Sequence, residues 1–112
     1  EQREGPQRMA TCRDAFGQGP VGFLAGPDSV ASVGVISGGA EREIHQAIAA
    51  GLDAYVTGEA SEWVMNVARE SRIHFLACGH HATERLGIRA LGDHLAERFG
   101  LEHEFIDVPN PV

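Results

Sequence analysis

From Ser32 onward the chain alternates short β-branched or apolar runs with segments whose apolar residues recur at helical spacing, and most of the runs stop at a glycine-containing turn. No other feature constrains the fold as strongly. Val33, Val35 and Ile36 form the first run, which stops at Ser37-Gly38-Gly39-Ala40. Ile44, Ala47, Ile48 and Leu52 then follow a helical period, with Gly51 where a C-cap belongs. Ala54-Tyr55-Val56 is the next strand, stopped by Thr57-Gly58, and Trp63, Val64, Val67 and Ala68 mark a second amphipathic helix. Ile73 to Cys78 is a third strand. After Gly79 a longer helix carries Leu86, Ala90, Leu91, His94, Leu95 and Phe99 along one stripe and closes at Gly100. Glu102 to Ile106 reads as a last strand, followed by a Pro-containing tail from Asp107 to Val112.

Strands alternating with helices predict an α/β fold, a layered and mainly parallel sheet flanked by helices with right-handed crossovers. Residues 32–112 are assigned to this domain. Residues 1–31 are a poorly patterned lead segment broken by Gly5-Pro6, Gly19-Pro20 and Gly26-Pro27. The lead is expected to be partly disordered, with a short strand around Val21 to Leu24.

Charge and cysteine content narrow the function classes. Nine basic and 16 acidic side chains give a net charge of −7, so a phosphate-neutralising nucleic-acid face is not expected. Two cysteines, Cys12 and Cys78, do not make a disulfide framework and form no CxxC pair. They point to a reducing, cytoplasmic setting. No run approaches the ~18 apolar residues of a membrane span, so no membrane partner is expected. No Ser/His/Asp order or Cys/His pair suggests nucleophilic catalysis.

In an open α/β sheet, ligands bind outside the carboxyl ends of the strands. Three turns fall at that edge: Ser37-Gly38-Gly39-Ala40, Thr57-Gly58-Glu59 and Gly79-His80-His81. His80 and Glu84 lie four residues apart, so on a helix starting near His80 both side chains leave one face. Imidazole nitrogen and carboxylate oxygen suit Zn, Mn, Fe or Ni. His81 points about 100° away from His80 and is read as facing substrate or supporting the ligands. Gly38 and Gly39 offer either an anion nest or a tight turn needing positive φ. Thr57 and Glu59 add a hydroxyl and a carboxylate, with Glu59 the candidate general base or ligand support, although N-cap and first-turn roles also explain them.

These strings resemble the Nif-three-like dinuclear-metal family, whose members are called GTP cyclohydrolase I type 2 homologs. The resemblance rests on Gly79-His80-His81-Ala82-Thr83-Glu84-Arg85, Gly87-Ile88-Arg89-Ala90-Leu91, Asp53 to Glu59, Ser37 to Ala40 and the ending Phe105 to Val112. It covers about Val33 to Val112. It implies that Glu84 bridges two divalent ions and that His80 binds one. In the family, a His-His pair and an Asp from the N-terminal half complete the site, and residues 1–31 here contain no His. This chain alone is therefore expected to hold metal weakly or not at all.

The resemblance also implies one half of a two-part fold and ring-like homo-oligomers. An incomplete half should leave apolar surface uncovered, which independently predicts self-association. Two main function classes follow. The first is a metal-dependent hydrolase of a phosphate-bearing or nucleotide-like small molecule. The second is a non-catalytic metal-binding or regulatory interaction protein, with this chain supplying half a site. A half-domain that only assembles is a third.

Overall fold

The computed structural model describes residues 5–112. Helix α1 (Gly5–Phe16) and strand β1 (Val21–Leu24) come from the lead segment, followed by β2 (Val33–Val35). A 3-10 turn at Glu41–Glu43 runs into α2 (Ile44–Ala49); then come β3 (Ala54–Thr57), α3 (Val64–Ser71), β4 (His74–Ala77) and α4 (His80–Phe99). The sheet order is β1-β4-β3-β2. β2 pairs parallel with β3 and β3 parallel with β4, whereas β1 pairs antiparallel with β4.

The connectivity decides which face each helix covers. Two successive right-handed crossovers step the same way across the sheet, so α2 and α3 fall on one face. Ile44 and Ala47 of α2 and Val64 and Ala68 of α3 pack there against Tyr55, Ile73, Phe75 and Ala77. Phe75 pairs in register with Phe23 on one side and Tyr55 on the other. The ring centroids lie 6.0 and 5.9 Å apart, an aromatic ladder across three strands. The other face is covered by the lead segment: Met9, Cys12 and Phe16 of α1 meet Val56, Leu76 and Cys78. Both central strands are therefore buried along their whole length.

Three segments differ from the sequence reading. The lead holds a three-turn helix, because Met9, Cys12 and Phe16 recur at helical spacing and find the second sheet face. Glu102 to Ile106 forms no strand. The chain runs back along α4 instead of joining the sheet. Leu101 N–H donates to Ala96 O, His103 Nδ1 pairs with Asp93 at 2.9 Å, Arg89 lies 5.2 Å over the Phe105 ring, and Arg85 pairs with Asp107 at 2.9 Å. Each contact sits about one helical turn before the last. In α4 only Ala82 and Thr83 are buried, and Leu86, Leu91, Leu95 and Phe99 of its apolar stripe stay exposed. Among the described residues, no helix is long and apolar enough to cross a membrane.

Candidate metal centre

The carboxyl ends of three parallel strands bring the three turns together. β2 leads to Gly38-Gly39, β3 to Gly58-Glu59 and β4 to Gly79-His80. The peptide around Gly38 is held from both sides. Its N–H donates to Thr83 Oγ1 (2.9 Å), and its carbonyl accepts from Thr57 Oγ1 (3.1 Å) and Gly58 N–H (2.9 Å). Ala40 N–H donates to the same Thr57 hydroxyl at 3.3 Å. Two amides of the Ser37–Ala40 turn are thus spent on hydroxyls and are not turned toward an anion.

Steric constraint explains the glycines. Gly38 sits at φ +72°, and a Cβ there would come within 2.6 Å of Glu84 Oε1 and 3.2 Å of His80 Nε2. At Gly58 a Cβ would meet the Gly38 carbonyl at 2.6 Å and the His80 Cα at 2.7 Å. These two positions let the β2 and β3 turns close onto the start of α4.

At the centre stands His80. Its Nδ1 hydrogen-bonds Glu59 Oε1 at 2.5 Å, and its Nε2 lies 3.3 Å from Glu84 Oε1. The helical four-residue spacing thus places both candidate ligands over one turn. The Glu59 hydrogen bond is the largest influence raising the His80 pKa above its ordinary 6.5; burial opposes it, and the charges of Glu84 and Glu59 add to it. Thr57 and Glu59 lie outside α3, which starts at Val64 with Trp63 as its N-cap. They do not cap it.

His81 is turned away from this cluster, its Nε2 3.6 Å from Asp107. Its backbone N–H donates to Val112 O at 2.8 Å, so the tail closes over the first turn of α4. Two cavities flank His80. One of about 360 Å³ is bounded by Gln18, Phe23, Glu59, Glu62 and Val112, among others. The other, of about 300 Å³, is lined by His80, His81, Glu84, Asn110 and Val112. Sequence reasoning missed Thr83, Gln18 and the tail residues as parts of this site. Thr83 stands inside the His80–Glu84 string, and a hydroxyl on the buried side of a helix's first turn was the available signal.

His80 and Glu84 fit a divalent cation as a pair of donors. The imidazole's Nδ1 is engaged by Glu59, which leaves Nε2 on the side of the Glu84 carboxylate. Among the described residues, no group of three or more His, Cys, Asp or Glu side chains is placed to hold an ion. A stable transition-metal site usually takes three or four protein ligands. His80 and Glu84 supply two.

Comparison with known proteins agrees with the folding pattern. A GTP cyclohydrolase 1 type 2 homolog of Pseudomonas aeruginosa is 54% identical over 100 residues, covering 89% of this chain and 39% of that protein. A solved structure described as protein ybgI, of unknown function, superposes with a TM-score of 0.94 at 41% identity, covering 100% of this chain and 46% of that one. Protein TTHA1606 of Thermus thermophilus gives a TM-score of 0.83 at 30% identity, covering 95% and 43%. The chain thus spans less than half the length of these relatives. The Duf34/NIF3 (NGG1p interacting factor 3) family model matches residues 6–111, so the likeness includes the lead segment as well as the part beyond Val33. The chain belongs to the Duf34/NIF3 family.

Proposed function

We propose that this chain supplies half of a divalent metal centre, with His80 ligating through Nε2 and Glu84 through its carboxylate. The carrying observation is the approach of Nε2 to Glu84 Oε1, 3.3 Å, at the carboxyl edge of the parallel strands. The remaining ligands come from protein outside these 112 residues, either the rest of a family-length chain or a neighbouring copy. Zn, Mn, Fe or Ni suits this donor pair, and the complete protein holds two ions in a cytoplasmic homo-oligomer. Bound metal supplies Lewis acidity and lowers the pKa of a coordinated water toward about 7.

On this basis the assembled protein is a metal-dependent hydrolase of a phosphate-bearing or nucleotide-like small molecule. The larger cavity opens beside His80 and offers Gln18 and Ser61 as polar contacts and Phe23 as an apolar wall. A second reading, metal binding without turnover, is favoured by one observation: among the described residues no Arg lines either cavity, and the chain has no Lys. A phosphodiester and nucleotide screen with added Mn(II) or Zn(II) separates the two. Hydrolysis lost in both His80→Ala and Glu84→Ala supports the enzyme. Metal binding lost in both without turnover in the parent supports the second reading. Activity indifferent to both substitutions removes His80 and Glu84 from the chemistry.

A further inference from the structure

We infer that Glu59 is a positioning residue for the metal centre: by accepting a hydrogen bond from His80 Nδ1 it fixes the ring and the tautomer in which Nε2 is the free donor atom facing Glu84. The inference rests on the metal-binding reading above. It reassigns Glu59 from a candidate general base to a group acting through His80.

The geometry carries it. A neutral imidazole has one N–H and one lone pair, and the partner of one nitrogen decides which is which. The Nδ1–Oε1 distance of 2.5 Å is a short, charge-assisted contact, and a carboxylate in that place accepts from N–H. Glu84 Oε1 stands 3.3 Å from Nε2, a longer contact than the 2.5 Å from Nδ1 to Glu59, so the single proton of the neutral ring sits on Nδ1 and the lone pair on Nε2. A carboxylate behind a ligating imidazole recurs in metal sites, where it orients the ring and raises its basicity.

Glu59 is well placed for this. It follows Gly58, whose N–H holds the Gly38 carbonyl and whose own carbonyl accepts from Gly79 N–H at 2.9 Å. The backbone that presents Glu59 is thus tied to the backbone that presents His80. A Cβ on Gly39 would lie 3.5 Å from both the Glu59 carboxylate and the His80 ring, so the β2 turn covers the pair from above.

The test uses the 112-residue chain and two readouts that do not involve activity. Nitrogen-15 NMR of the His80 ring, recorded above its titration, reports the tautomer. Mn(II)-induced relaxation of the His80 ring protons reports binding even at a weak site. The parent should show the Nδ1–H form. Glu59→Ala should revert to the Nε2–H form preferred by free imidazole and lose about 10- to 100-fold in Mn(II) affinity. Glu59→Gln keeps an accepting oxygen, so it should keep the Nδ1–H form and bind closer to the parent than to the Ala variant.

The Glu59 side chain is 43% exposed, so these variants should melt with the parent, and melting curves check this. An unchanged tautomer or unchanged Mn(II) affinity in Glu59→Ala overturns the assignment. If Glu84→Ala also leaves the Mn(II) relaxation of the His80 ring protons unchanged, the metal reading itself fails. If Glu84→Ala abolishes it while Glu59→Ala does not, only the role of Glu59 fails.

Discussion

Replacing Gly38 by alanine separates backbone strain from site geometry, because the chain contains its own control. Gly38 has φ +72° and Gly51 has φ +67°. A Cβ at either position pays for a left-handed backbone, about 1–2 kcal/mol, which lowers Tm by roughly 5–15 °C in a domain of this size. Among the described residues nothing lies within 4 Å of the atom added at Gly51, whereas at Gly38 it would sit 2.6 Å from Glu84 Oε1. Glu84 is 57% exposed, so its carboxylate can swing into solvent at little further cost in stability. The damage then appears in binding. Gly38→Ala and Gly51→Ala should lose similar stability by thermal melting. Gly38→Ala alone should also lose at least about tenfold in Mn(II) affinity, the scale of displacing a group that supports a metal ligand. Equal Mn(II) affinity in the two variants would refute the claim that the β2 turn is shaped around the His80–Glu84 pair.

Asp53 Oδ2 accepts from Ala31 N–H, Ser32 N–H and Ser32 Oγ at 2.9–3.0 Å; Asp53→Ala should cost about 2 kcal/mol in urea unfolding without moving the site. Arg85→Ala breaks the 2.9 Å pair with Asp107. It should change stability by less than about 1 kcal/mol yet speed hydrogen exchange at the His81 amide, which donates to Val112 O. The His80 pKa is raised in the fold by the Glu59 hydrogen bond and neighbouring carboxylates. Without metal, its contribution to stability is therefore fully present below pH 6.5 and fades as pH rises through the raised value. An NMR titration midpoint for His80 at or below its ordinary 6.5 contradicts this.

The parallel core was legible because its signals are local. Val33–Val35, Ala54–Thr57 and His74–Ala77 each occupy a short apolar run, and the helices between them keep a helical period. The pairing of His80 with Glu84 was legible because helix geometry fixes what lies four residues away. Less legible were contacts set by tertiary packing. In α1, Met9, Cys12 and Phe16 hold a helical spacing, but Gly5-Pro6 and the polar residues around them obscure it. From Glu102 to Asp107 the adjacent Phe105 and Ile106 stand among polar residues, and nothing local tells whether such a chain pairs with a strand or lies on a helix. Here the ion pair to Asp93, the Arg89–Phe105 contact and the Arg85–Asp107 pair choose the helix. The hydrogen bond from His80 to Glu59 spans 21 residues and two strand ends, so no spacing rule reveals it.

The central claim is that His80 and Glu84 form half of a divalent metal site whose other ligands lie outside these residues. Calorimetric titration of the chain with Zn(II), alone and joined to the remaining part of a family-length relative, tests it most directly. The account predicts weak binding by the chain alone, a marked gain in the joined protein, and loss of that gain in His80→Ala. Tight Zn(II) binding by the chain alone, or a gain that survives His80→Ala, contradicts it.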